Sequence, residues 1–240
     1  MSSLRSALTI GEMQARELSR RRLAVGMLAA LPLVLYLSIP PGEGWELTPG
    51  AVGLSWSVGG VALFAALGWR EVDPRLSLAG YGAAAQLLGR LVPLACLGLG
   101  LGGAMLPLML ARSQPADGGA LALAVLLTVL VAGPLGLTIG ALFVGELEGM
   151  LALIAVGGIA MSLPPDLPGA PMTPLWGPTR LVVTAFEGDG AGVLVPVVHG
   201  LVSTLVLVAV TWLAWRRRIQ VLTPHAVETR SSIAPERTSA

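Results

Sequence analysis

Residues 141–156, ALFVGELEGMLALIAV, set Glu146 and Glu148 between two apolar runs. Two readings compete. Either the acids are a buried pair that moves protons or ions, or they stand at a membrane face where something docks. Two positions apart on a helix, their side chains do not share a face, so a paired-carboxylate site is geometrically disfavoured. The choice turns on how often the chain crosses a bilayer and from which side it enters.

Hydrophobic residues make up 54% of the 240 and charged residues 12%, and the mean hydropathy is +0.78. A soluble domain carries about 25% charged residues, so the composition points to an all-α integral membrane protein built as one bundle. A net charge of +1 excludes a strongly basic nucleic-acid binder. The lone Cys96 rules out an intrachain disulfide or a multi-cysteine metal site, and it reads as a small core residue.

A spanning helix needs roughly 20 mainly apolar residues. Six segments fit: 23–39, 50–69, 91–111, 119–144, 149–163 and 192–215. The first follows a basic stretch but has no small-residue cleavage site. It runs into SIPPGEGWE (38–46), a turn, so it reads as a retained helix and not a signal peptide. The fifth is short and needs its flanking glutamates to reach toward the headgroups.

Arginine supplies all 15 basic residues, and basic residues stay on the cytoplasmic side. With the N-terminus inside, thirteen arginines face the cytoplasm, Arg70, Arg75 and Arg90 among them, and only Arg112 and Arg180 lie outside. Both termini are then cytoplasmic. Glu146 and Glu148 fall in a short cytoplasmic turn with no basic residue, where they read as docking or capping acids and not as a proton relay.

Three pieces do not span. Residues 1–22 form a cytoplasmic amphipathic leader, with Leu4, Ala7, Leu8, Gly11, Ala15 and Leu18 on one stripe and Ile10 and Met13 off it. It reads either as a helix on the inner membrane surface or as a solvated basic leader. In WREVDPRLSLAGYG (69–82), Asp73 suits a helix cap, Pro74 its first position and Gly80 its end. The short helix between them presents Leu76 and Leu78, either to a partner or to its own bundle. The segment 162–190 holds six of the 18 prolines, which exclude a straight span. It reads as a re-entrant extracytoplasmic excursion shielded by protein, with a plain outer loop as the alternative. The bundle is expected over 23–218 and a disordered cytoplasmic tail over 219–240.

No acid falls within the expected spans, and His199 is the one imidazole that does; it reads as a hydrogen-bonded packing residue. Without lysine no GxxxxGK[ST] phosphate loop exists, and no Ser/His/Asp set converges. The chain itself is expected to catalyse nothing and to bind no cofactor or metal. Glycine-rich runs such as LGLGLGGAM (97–105) suit close helix packing in lipid.

In this order of elements the chain resembles the membrane permease subunit of type-2 ABC exporters. REVDPRLSLAGYGAAAQLLGRLVPL (70–94) is similar to that family's segment bearing a coupling helix. ALFVGELEGMLALI (141–154) is similar to its cytoplasmic turn between spans four and five, which the outer TPLWGPTR (173–180) follows. GYGAAAQ (80–86) is poorer in bulky or charged residues than the family's segment. The resemblance implies a permease dimer, with a second copy or a paralogue, in the bacterial cytoplasmic (inner) membrane. Each permease would be served by a separate ABC ATPase subunit that binds ATP and Mg. It further implies that Asp73, Pro74, Arg75, Leu76 and Leu78 of the coupling helix at 73–80 meet the ATPase, with Glu146 and Glu148 close by. Two alternatives stay open: a haem-exporter-type permease of cytochrome maturation, and a non-transporting membrane scaffold or sensor.

Overall fold

A computed structural model describes residues 3–40, 46–188 and 192–232. Over these the chain is all α-helical. The helices are α1 (Ser3–Arg20), α2 (Arg22–Leu37), α3 (Leu47–Gly68), α4 (Val72–Leu78), α5 (Ala83–Ser113), α6 (Gly118–Leu142), α7 (Glu146–Ser162), α8 (Trp176–Glu187) and α9 (Leu194–Ser232). Among the described residues, four helices are long and apolar enough to cross a membrane: α3, α5, α6 and α9 over Leu194–Arg217. The chain is a multi-pass membrane protein. The expected spans at 23–39 and 149–163 exist as helices α2 and α7, but their 16 and 17 residues reach only about 25 Å, short of a hydrocarbon core of about 30 Å.

Helices α3 and α6 are the centre of the bundle. In each, 78% of the apolar window is buried, against 28% in α5 and 17% in α9. They run parallel and nearly touch. A Cβ on Gly136 would sit 2.0 Å from the Gly59 carbonyl oxygen, and one on Gly140 would sit 2.6 Å from the Ala66 methyl. In lipid, where there is no hydrophobic gain from hiding one helix behind another, this close approach supplies the packing energy. Helix α5 runs antiparallel to them, with Gly98 against Val129 and Gly102 against Val125. A polar tie joins α6 to α9, where the hydroxyls of Thr138 and Thr211 lie 2.8 Å apart.

Sequence logic accounts for the helix ends. Asp117 caps α6, accepting from the Gly119 and Ala120 amides at 2.8 and 3.0 Å. At the other end of α6, Arg70 donates to the carbonyls of Gly140 and Phe143, supplying a cation where the helix dipole is negative. Arg112 does the same for α2, donating to Tyr36 and Ile39 carbonyls at 3.1 and 2.8 Å.

The proline-rich segment breaks the helix after Ser162, as its prolines require, and holds one 3-10 turn at Ala170–Met172. Helix α8 follows, 12 residues long and too short to cross. It lies along the first half of α6. The Asp117 amide donates to the Ala185 carbonyl at 2.9 Å, and Leu175, just before α8, packs with Val131 and Ala160. Residues 189–191 lie outside the described residues, as do 41–45 of the expected turn at 38–46.

Four expectations are revised. Helix α5 begins at Ala83, eight residues before the expected span, because the charge of Arg90 is hidden inside the bundle. Cys96 is exposed on the outer face of α5 and not in the core. Helix α1 packs on α5 through Ala7, Ile10 and Gly11 against Gly89, while Leu4 and Leu8 of the expected stripe are exposed; Ile10 lies off that stripe. Finally, α9 continues to Ser232, so 219–232 is helical where disorder was expected, and 233–240 lie outside the described residues.

The α3–α6 seam makes a direct prediction. Gly136→Ala forces the two backbones apart and should cost about 1–3 kcal/mol, lowering the thermal midpoint of the chain purified in detergent. Gly133→Ala, where a Cβ meets nothing, should leave that midpoint unchanged. Equal behaviour of the two variants would contradict the seam.

Candidate functional site

The short helix α4 follows α3 almost without a break, as the Trp69 carbonyl accepts from the amides of both Val72 and Asp73 at 2.9 Å. Pro74 falls in its first turn, where a missing amide costs no hydrogen bond. Its end is a Schellman motif. The Tyr81 amide donates to the Leu76 carbonyl and the Gly80 amide to that of Ser77, each at 3.0 Å. Gly80 has φ +89, a left-handed conformation that favours glycine. The stop read from the sequence is therefore where it was expected.

The start is different. The N-cap is Glu71, with no side-chain capping bond. Asp73 does not cap the helix; it turns inward and is 5% exposed. Its carboxylate pairs with the guanidinium of Arg90 on α5, which is fully buried, through both oxygens. That guanidinium also lies 5.2 Å from the Trp69 ring centre and 4.2 Å from that of Trp215, within cation–π range. The Trp69 indole N–H in turn donates to Glu17 of α1 at 2.8 Å. One buried cation thus joins the end of α3, the whole of α4, α5 and α9, and Trp69 carries the tie on to α1.

A second tie lies on the same face of α4. The side-chain amide of Gln86 donates to the Ser77 hydroxyl at 3.0 Å and to the Tyr81 carbonyl at 2.9 Å. With its inner face fixed at Asp73 and Ser77, α4 turns Arg75 and Leu78 outward, Leu78 being 64% exposed. Pro74 and Leu76 are half-buried. Of the five α4 residues singled out from the sequence, two are displayed, two are flanking and one is structural.

Glu146 and Glu148 occupy the first turn of α7, where the positive end of the helix dipole favours acids. Both are exposed. Glu148 folds back over Gly145 and fills the space that a Cβ there would need. Glu146 instead lines a cleft bounded by α1, α2 and α3. The two acids part company, as their spacing required.

At the far end of the bundle, His199 donates from Nε2 to the Pro171 carbonyl at 2.8 Å and meets Trp176 edge-on at 5.0 Å between ring centres. The Trp176 indole donates to the Pro165 carbonyl at 2.8 Å. His199 and Trp176 thus pin the proline-rich segment to α8 and α9, which fits the packing role read for His199. Arg180 pairs with Asp166 at 3.0 Å. Among the described residues, no three His, Cys, Asp or Glu side chains gather as a metal site.

Neither a family model nor a curated protein matches the chain.

Sequence reasoning missed Arg90 as an anchor because it counted it as one more cytoplasmic arginine. One signal was available. Arg90 lies seven residues after Ala83 and directly before a long apolar run, in a chain that offers Asp73 and Trp69 shortly before it and Trp215 at the end of the last apolar run.

Removing either partner of the pair leaves the other buried and unmatched, a loss of about 3–5 kcal/mol. Asp73→Asn and Arg90→Gln should each lower the thermal midpoint sharply and broaden the gel-filtration profile. The double variant Asp73→Leu/Arg90→Met should recover most of the loss. Single variants that behave as wild type would show that the pair does not hold α4.

Proposed function

We propose that this chain is the membrane-spanning permease subunit of an ATP-driven exporter of the type-2 ABC kind, forming a translocation pathway and coupled to a separate ATPase subunit. The observation that carries this reading is α4: a short helix with a defined start and stop, anchored on its inner face and displaying Arg75 and Leu78 on its outer face. A docking lever needs both properties. It must offer a surface to the partner, and it must not yield when pushed.

The buried pair supplies the second property. Force applied at Leu78 passes through Asp73 to Arg90 on α5 and, through the two tryptophans, to α3 and α9. No span can then be pushed alone. Arg70 extends the same end by clamping the close of α6, so the motion of α4 is shared by all four long spans. Glu148 borders this face as an acid that would meet basic side chains of the partner.

In this proposal α2 and α7 complete a six-span count. The bilayer thins locally, or the ends of these helices snorkel, each at a modest cost. The arginine-rich end, which carries α1, α4 and the turn before α7, is cytoplasmic, with both termini on that side. At the opposite end Arg112 caps α2 and Arg180 is paired, so the two outer arginines are locally compensated. Helix α8 is the re-entrant piece, a half-length helix shielded by α6 and α9. The pathway forms between two such chains, with ATP and Mg on the partner subunits, in a bacterial cytoplasmic membrane.

The test is gentle purification of the tagged chain from its own membranes, with identification of bound proteins and assay of vanadate-sensitive ATP hydrolysis. An ATPase in roughly equal amount is expected. Leu78→Glu should abolish its recovery while membrane insertion and the gel-filtration profile stay unchanged. Leu78 is the better probe than Leu76 because it is the more exposed. A chain that emerges alone or with a non-ATPase, or a Leu78→Glu variant that keeps its ATPase, would overturn the proposal.

A further inference from the structure

A cleft of about 220 Å³ opens at the arginine-rich end between α1, α2 and α3, and it combines three features. Its inner wall is apolar, formed by Val25, Leu28, Val61 and Phe64. Gln14 on α1 lines it and is 1% exposed, yet neither its amide nitrogen nor its amide oxygen makes a hydrogen bond. An unsatisfied buried amide costs about 1–3 kcal/mol per group, a cost that a hydrogen-bonding group of a bound ligand would offset. The third feature is charge. Glu17 is already matched by Arg21 at 2.9 Å and by the Trp69 indole. Glu146, at the rim, has no ionic partner among the described residues.

We infer that this cleft binds an amphiphile with an ammonium head. The head sits at the rim against Glu146, a hydrogen-bonding group next to it satisfies the Gln14 amide, and the first methylenes of the chain lie on Val25, Leu28, Val61 and Phe64. Depth supports an amphiphile over a water-soluble amine. Val61 lies seven residues inside the end of α3, roughly 10 Å, so the cleft runs from the headgroup layer into the hydrocarbon of a leaflet about 15 Å deep. Size supports a partial enclosure. The cleft is smaller than the roughly 300–1,000 Å³ of sites that engulf a drug-sized ligand, so it holds a head and a short length of chain while the rest trails into the bilayer. Charge sets the selection, because the unmatched carboxylate favours an ammonium and penalises an anionic head such as a phosphoglycerol.

The site is also mechanically placed. Gln14 and Glu17 lie on α1, and Glu17 holds Trp69 beside Arg90, so an occupied cleft braces the same cluster that anchors α4. This inference does not rest on the export proposal, since binding is measured on the purified chain without any partner subunit.

The test is native mass spectrometry of the full chain, delipidated in detergent and titrated with three probes: phosphatidylethanolamine, phosphatidylglycerol with the same acyl chains, and dodecylamine. Phosphatidylethanolamine and dodecylamine should bind, the phosphatidylglycerol about tenfold more weakly. Glu146→Gln should weaken both amine probes by about tenfold, the scale of one charge-assisted hydrogen bond, and should strengthen phosphatidylglycerol, narrowing the gap between the two phospholipids. Gln14→Leu should weaken phosphatidylethanolamine to the same extent. Because Glu146 is exposed, its variant folds and keeps the test decisive even if Gln14→Leu does not. Binding of both amine probes identifies the source as the bilayer; binding of dodecylamine alone supports the site and identifies the source as a free amphiphile. Equal binding of the two phospholipids together with wild-type behaviour of Glu146→Gln would overturn the inference, as would a cleft that takes none of the probes.

Discussion

A guanidinium with no exposure to solvent is the constraint on which the arginine-rich end of this bundle is built. Taking an ion out of water costs several kcal/mol even after relaxation. The surrounding chain must therefore deliver a carboxylate and two aromatic faces to one point. Asp73 comes from α4, Trp69 from the end of α3, and Trp215 from the last turns of the apolar part of α9. Each partner belongs to a different helix, so meeting the needs of Arg90 fixes how those helices are placed relative to one another. A hydrophobic side chain at position 90 would pack without dictating any of this. Buried ionic groups are weak sources of stability, and this one draws its partners from three other helices.

The middle of the bundle follows other physics. At the closest approach of α3 and α6, glycines and alanines let the two backbones close on each other, while Leu63 packs beside them with Leu135 and Ile139. The glycine and alanine contact is rigid because nothing in it can change rotamer. The ion cluster at one end and the glycine seam along the centre therefore do different work. The seam makes α3 and α6 a stiff pair, and the cluster attaches the surface helix α4 and the outer helices to that pair. At the far end the ties are lighter: an arginine over the end of α2, an aspartate cap on α6, and the His199–Trp176 contact holding the proline-rich segment.

Much of this was legible in the sequence, and the reasons for the rest are specific. The four long spans are visible as apolar runs because lipid demands them. The stop of α4 is visible because Gly80 and the chain after it meet a purely local requirement. The start of α4 is not. Asp-Pro is a good local signal for a cap, and the signal fails because a partner 17 residues later in sequence outcompetes the local amides for the carboxylate. Helix α1 misleads for a related reason. Hydropathy alone puts its apolar stripe on Leu4 and Leu8, yet its packing face is chosen by the shape of α5. There Gly89 makes a notch into which Ile10 fits, leaving Leu4 and Leu8 outward. Glu146 and Glu148 separate as their spacing demands, but nothing in the sequence says that a cleft opens beneath one of them.

In the proposed topology the ion cluster and α4 lie on the cytoplasmic side, where ATP is. Single-cysteine accessibility tests it directly. In a Cys96→Ala background, Ala79→Cys marks the end of α4 and Ala116→Cys marks the opposite end of the bundle, both at exposed positions. A membrane-impermeant maleimide is applied to right-side-out and inverted vesicles. With that topology, Ala79→Cys reacts only in inverted vesicles and Ala116→Cys only in right-side-out ones. The reverse pattern, or reaction of both sites from the same side, would contradict it.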